Sequence, residues 1–299
     1  MQILNTQKAQ SENREAPPEN RSISVPSLSL PKGGGAIKGI NEKFSANPVT
    51  GTGSLSVPIF TTPSRADFYP KLSLSYDSGA GTGSFGLGWN LSIPSITRKT
   101  DKGLPKYQDA EESDIFILSE AEDLVPVFTL SGNDWTSVIP PDKSEQGVTY
   151  TVRPYRPRVE GLFARIERWE NKNTGEAHWR SVSKDNITSI YGKSACSRIA
   201  DPEDDSRVFK WMLEESYDDK GNVILYEYKQ ENSDCIDPSL PQERNRLASS
   251  AGFANQYLKR IKYGNKTPRK ADDTVFPPDN WSFQVVFDYG EHDRDNPTV

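Results

Sequence analysis

From Ile23 onward the chain is written in short segments of period two. Leu55, Val57 and Ile59 alternate with Ser54, Ser56 and Pro58, and Leu72, Leu74 and Tyr76 alternate with Lys71, Ser73 and Ser75. Phe209, Trp211 and Leu213 make a third apolar face. The longest comprises Trp281, Phe283, Val285, Phe287 and Tyr289, opposed by Ser282, Gln284 and Asp288. Alternation of this kind turns one side of a strand to a core and the other to water, which predicts antiparallel sheet. Turn-forming residues separate the runs at 77–79, 131–134, 173–175 and 219–222. Helical spacing is confined to residues 242–256, where Arg244, Leu247, Ala251 and Ala254 recur at three and four. The predicted fold class is therefore all-β, mainly antiparallel hairpins and curved sheet, with at most one or two short helices. Pro58, Pro94, Pro126, Pro154 and Pro157 fall inside or beside these runs, and proline cannot donate to a ladder. That punctuation predicts an irregular shell rather than a small closed barrel.

Residues 1–22 lack periodicity and are polar, charged and proline-bearing, so they read as a disordered tail preceding a β domain over 23–299. The 299 residues are enough to bury roughly three-quarters of the unfolded surface. With 6 Trp, 12 Tyr and 12 Phe the chain has the apolar faces to do so. A net charge of −6 argues against a dedicated nucleic-acid binder, which gains affinity from an excess of Lys and Arg. No apolar run approaches the ~18 residues that span a bilayer. The N-terminal stretch lacks the apolar centre of a secretory leader, so export without a Sec-type signal, or retention in the cytoplasm until release, is expected.

Little of the sequence reads as chemistry. Gly81-Thr82-Gly83-Ser84-Phe85-Gly86 has the G-x-G-x-x-G spacing, but Leu87 to Pro94 continue as an extended run instead of the helix a dinucleotide needs. A glycine-rich turn is the better reading. Lys32-Gly33-Gly34-Gly35 lacks the order of a phosphate loop. Glu120-Ala121-Glu122 has the E-x-E spacing of ADP-ribosyltransferases, yet it sits between two apolar runs, without the Ser-Thr-Ser strand such a site requires, and reads as a hairpin tip. His178, His292, Cys196 and Cys235 are too scattered for a zinc site or a disulfide framework; two free thiols are favoured over one bridge. Basic residues interleave with aromatics at 153–158 and 259–263, the composition of a single-strand nucleic-acid platform, but solvated strand faces or a protein interface fit the acidic total better. Asn90, Asn186, Asn265 and Asn280 lie in chance-level glycosylation sequons. No catalytic, cofactor or metal residue is assigned, and the chain is not expected to be an enzyme on its own.

Several stretches together resemble the N-terminal domain shared by the virulence-plasmid B protein (SpvB) and the TcB components of insecticidal toxin complexes. They are Leu28-Ser29-Leu30-Pro31-Lys32-Gly33-Gly34-Gly35-Ala36-Ile37; Leu74-Ser75-Tyr76-Asp77-Ser78-Gly79-Ala80-Gly81, continued by Phe85-Gly86-Leu87-Gly88-Trp89; Tyr155-Arg156-Pro157-Arg158; Tyr263-Gly264-Asn265; and Phe287-Asp288-Tyr289-Gly290-Glu291. Ser216-Tyr217-Asp218-Asp219-Lys220-Gly221-Asn222-Val223, followed by Tyr226-Glu227-Tyr228, is similar to one YD unit of Rhs proteins.

The resemblance implies a structural role. A TcB-like protein joins a TcC-like Rhs partner in a hollow β shell around a cytotoxic polypeptide and docks it on a TcA-like pore component. The propeller, most of the shell and the Asp-Pro-x-Gly cleavage signature of the full-length family are not found between residues 1 and 299, so the β domain is expected to need downstream sequence. Pore docking, enclosure and autoproteolysis are not assigned to it. The expected function is a non-catalytic shell module whose edge strands pair with further β structure, with no cofactor, no nucleic acid and no direct membrane insertion. Two rivals stand beside it: the delivery domain of an ADP-ribosyltransferase toxin, and a free-standing surface-binding β module.

Overall fold

The alternating runs become strands, and the ladders that join them are all antiparallel. The computed structural model describes residues 43–46, 51–119, 122–159, 161, 163–233, 237–241, 243–244, 250–270 and 276–289. The tail over 1–22, the glycine run at 33–35, Glu120, Cys235 and His292 lie outside the described residues. No described helix reaches seven residues. Within 242–256, Arg244 is α-helical and Ser250–Phe253 is a 3-10 turn; Gln242 and residues 245–249 lie outside the described residues, and Gln256 already opens a strand.

Lys43–Ala46 (β1), Gly53–Ile59 (β2) and Leu72–Asp77 (β3) begin an N-terminal sheet. Thr82–Gly83 (β4) and Gly86–Leu87 (β5) make a tiny hairpin, and Trp89–Leu91 (β6) returns to complete the order β1-β2-β3-β6. The larger sheet contains Ser95–Arg98 (β7), Phe116–Leu118 (β8), Glu122–Pro126 (β9), Val148–Pro157 (β13), Arg165–Asn171 (β14), Ala177–Val182 (β15), Thr188–Tyr191 (β16) and Asp204–Tyr217 (β18). Their order is β16-β15-β14-β13-β9-β8-β7-β18, and β18 pairs again with β16. The ring is closed. Phe128–Ser131 (β10) and Asp134–Ser137 (β11) form a separate hairpin, while Lys143–Glu145 (β12) and Arg198–Asp201 (β17) flank β13 and β18. Val223–Gln230 (β19), Gln256–Asn265 (β20) and Trp281–Val286 (β21) extend the sheet beyond β18.

The expectation of an irregular shell in place of a small barrel is thus corrected over β7 to β18. The prolines stand where no ladder donor is needed. Pro126 ends β9, and at that exit Pro154 offers its carbonyl to the Val127 N–H at 3.0 Å. Closure also needs bending, which register shifts in β18 supply, opposite Ile199–Asp201 and opposite Tyr191. The first shift changes a second expectation. Lys210 pairs with Ile199 and Val208 with Ala200, so Phe209 is bulged out of step; Val208 instead joins Trp211 and Leu213 in the core.

Each barrel strand sends at least one side chain inward. Ile96, Phe116, Leu118, Leu124, Tyr155, Ile166, Trp179, Tyr191, Val208, Trp211 and Leu213 form one core. Phe116 meets Trp179, Tyr155 and Trp211 edge-on at centroid distances of 4.9, 6.0 and 5.7 Å. A small barrel filled this way has no open lumen. Gly192 is required beside it: at φ 63° an added Cβ would lie 2.4 Å from Trp211 Cδ1. A second core lies between the N-terminal sheet and the β19-β20-β21 extension, with Leu72, Leu91, Ile224, Leu258, Ile261 and Tyr263 at its centre. Phe283, Val285 and Phe287 pack on it, as their alternation predicts. Tyr226 packs against both cores.

Candidate assembly surface

One mouth of the barrel is strapped shut by charge. Arg98 on β7 and Arg168 on β14 stand on opposite strands of the ring, and Asp109 accepts from both. Its loop must therefore cross the opening. Arg98 also donates to Asp114 at 2.7 Å and to the Val208 carbonyl at 2.7 Å, and its guanidinium lies over the rings of Tyr107, Phe116 and Trp211. Asp114 in turn accepts the N–H groups of Lys106 and Tyr107. Burial pushes the Asp109 carboxyl up, but the Arg98 hydrogen bond and the charges of Arg168, Arg98 and Arg153 outweigh it and hold the carboxyl below its ordinary range. Arg98, Arg168, Asp109 and Asp114 are each ion-paired, as burial demands, although Arg168 Nε is left without a hydrogen bond.

His178 belongs to the outside of the barrel wall. It is buried between Tyr150 and Trp169, with centroids at 5.5 and 5.9 Å, and its Nε2 accepts from Arg180 Nε at 3.1 Å. Burial, together with the charges of Arg180, Lys193 and Arg198, pushes this imidazole well down, so it is neutral. Arg180 stacks 3.7 Å from the Trp169 ring centre and pairs with Glu145 at 2.7 Å. The histidine is a packed wall residue.

The other motifs resolve into local structure. The 81–86 glycine run is the β4–β5 hairpin, a glycine-rich turn with no helix after it. Of the E-x-E motif only Glu122 is described; it opens β9 and pairs with Leu118. The two basic stretches do not present a continuous cationic face. Arg153 approaches Glu112 at 4.0 Å, whereas Arg158 reaches Asp123 at 3.6 Å. In the second stretch Lys262 is held by Glu227 at 2.6 Å, and Ile261 and Tyr263 are core residues. Of the sequon asparagines, Asn265 and Asn280 are buried; Asn265 ties Val223 N–H to the Gly221 and Thr267 carbonyls. Cys196 is an exposed free thiol. It lines a cleft of about 750 Å³ with Lys193, Glu214, Glu215, Tyr226 and Glu227. Glu214 there is occupied by the Ser194 N–H and the Ser197 hydroxyl. Burial, against the pull of Arg269, raises the Glu215 carboxyl above its ordinary range. Among the described residues no group of three or more His, Cys, Asp or Glu side chains is placed to hold a metal, and no helix is long and apolar enough to cross a membrane.

What the sequence reading missed is a surface. The β10–β11 hairpin pairs with no other described strand. Its register sets Leu130 opposite Trp135 and Phe128 opposite Ser137, so Phe128, Leu130 and Trp135 share one face. All three are exposed, Trp135 at 69% and Leu130 at 57%. Alternation over only four residues per strand is too short to mark which face is covered, although the turn at Gly132-Asn133, with Gly132 at φ 66°, was legible. The sheet also ends openly at β21 among the described strands.

The sequence and the fold both have known relatives. Residues 47–299 match the family model of the Salmonella virulence plasmid 65kDa B protein. The mono(ADP-ribosyl)transferase SpvB of Salmonella choleraesuis (strain SC-B67) is 36% identical over 273 residues, which are 89% of this chain but 43% of that protein. The chain thus spans less than half the length of the curated relatives it matches. The solved N-terminal domain of effector protein SpvB from Salmonella typhimurium strain LT2 superposes with a TM-score of 0.65 at 33% identity, covering 81% of this chain and 77% of that one. The TcdB2-TccC3 crystal structure gives 0.71 at 34% identity over 90% of this chain and 12% of the other. The Photorhabdus luminescens Tc holotoxin pore gives 0.74 at 33% over 92% and 12%. The chain belongs to the family of the Salmonella virulence plasmid B protein.

Proposed function

We propose that this chain is a non-catalytic structural module of a toxin-complex B component, contributing to a β shell that encloses and helps deliver a cytotoxic partner polypeptide. The observation that carries the reading is the match, at 34% identity over 90% of the chain, to one part of the much longer TcdB2-TccC3 assembly. The filled barrel agrees with it, because a core packed with Trp179, Trp211 and Phe116 leaves the outer surfaces for contact. The partners of this role are a TcC-like Rhs protein and a TcA-like pore component. A β domain over 23–299 is the unit that assembles, with residues 1–22 as its tail.

A second reading has its own support. The 36% identity to an ADP-ribosyltransferase over 43% of that protein fits a delivery domain joined to a catalytic domain elsewhere. Both readings assign no turnover to residues 1–299. Co-expression with the remaining B and C parts of a toxin complex, followed by size exclusion, separates them. Stable co-elution is expected for the shell module, and complete failure to associate contradicts it. Labelling of protein by the purified chain with NAD would contradict both.

A further inference from the structure

We propose that the β10–β11 hairpin is a docking peg whose apolar face, built from Phe128, Leu130 and Trp135, inserts into an apolar groove on further β structure tethered to this module. The inference rests on the shell reading and deepens it by naming a contact. An isolated two-stranded hairpin is marginal in water by itself, and this one holds its shape from the root: Val138 N–H donates to the Val127 carbonyl, Val127 N–H to Pro154, and Ser137 Oγ to Glu112. It is held firmly and presents three large apolar side chains to solvent. Trp is a side-chain type that dominates interface energetics when it enters a pocket.

Size and charge select the occupant. Two four-residue strands at ~3.4 Å per residue and ~4.8 Å spacing offer a face on the order of 150 Å². A free partner, or a second copy of the chain, needs ~1,000 Å² or more for a specific interface. A contact so small is effective as one part of a larger assembly, whose other contacts raise the local concentration of its mate, and in the solved assemblies this fold occupies 12% of a single longer chain. The single charged side chain of the 128–137 hairpin, Asp134 at its tip, is acidic, which disfavours an anionic lipid surface. The three side chains carry no polar group beyond the indole N–H, so the groove they fit is apolar.

The test uses the full chain with the double substitution Leu130→Ser, Trp135→Ser, alone and co-expressed with the remaining B and C parts. The wild-type chain is expected to be monomeric alone and to co-elute with those parts. The variant is expected to keep its thermal midpoint alone and to lose at least tenfold in the fraction that co-elutes. Iodide quenching of the wild type, with Trp135→Phe as reference, is expected to show Trp135 accessible in the free chain and shielded in the complex. Equal assembly of wild type and variant overturns the peg and leaves the shell reading standing; failure of the wild type to assemble overturns both. A lower midpoint for the isolated variant, a Trp135-dependent dimer, or Trp135-dependent binding to phosphatidylcholine–phosphatidylserine vesicles also overturns it.

Discussion

Trp179 and Trp211 are 0% and 1% exposed at the centre of the barrel, whereas Trp135 is 69% exposed on a hairpin a short distance along the same chain. The contrast separates two tasks that one residue type performs. In the barrel, indoles fill space enclosed by strands that close on themselves, and Trp211 also donates Nε1–H to the Ala177 carbonyl at 2.8 Å. On the hairpin the same apolar area has nothing described over it. A protein that binds small molecules commonly keeps its aromatics around a cavity; here they fill one region completely and stand proud of another. The arrangement suits a building block.

The sharpest way to break the comparison is to empty the barrel. Trp211→Ala removes a fully buried indole, and a loss of about 3–5 kcal/mol in urea unfolding is expected. Next is the mouth. Arg98→Met leaves Asp114 and part of Asp109 without their cation, and about 3 kcal/mol should be lost. Retained stability would mean that the loop carrying Asp109 does not depend on this pair. Gly192→Ala tests how tightly the wall holds Trp211: the left-handed backbone and the close indole together should cost about 2 kcal/mol.

His178 gives a pH test of the wall. Its imidazole is pushed down in the fold, so below about pH 6.5 the unfolded chain takes up a proton that the native state refuses. Stability is full above that value and is expected to fall with acidification, by about 1.4 kcal/mol per pH unit. Denaturant unfolding between pH 7 and 5 measures this, and His178→Phe should flatten the slope. At the other extreme, Trp135→Ser in the isolated chain should change stability by less than about 0.5 kcal/mol. A larger loss would erase the distinction between the two regions.

Much of the fold was legible because period-two alternation and turn residues act locally. The face from Trp281 to Phe287 and the Asp218 turn, where the carboxylate accepts the Lys220 and Asn222 N–H groups, are as the sequence implies. Closure of the barrel was not legible. It depends on β16 meeting β18 across a register shift, with Ile190 opposite Glu215 and Tyr191 opposite Leu213, a non-local event that local alternation does not encode. The buried network at the mouth was hidden for the same reason, since Asp109 and Arg168 meet only when opposite strands of a ring come together. The hairpin escaped notice because exposure depends on what is absent around it.

Hydrogen exchange of the chain, alone and inside a co-purified B–C complex, tests the central claim most directly. Slow exchange is expected for the barrel strands in both samples, with new protection confined to the 128–137 hairpin and the open side of Trp281–Val286. Protection changing instead within β7, β14, β15 or β18, with the outer surfaces unaltered, would contradict a filled scaffold that works through its exterior.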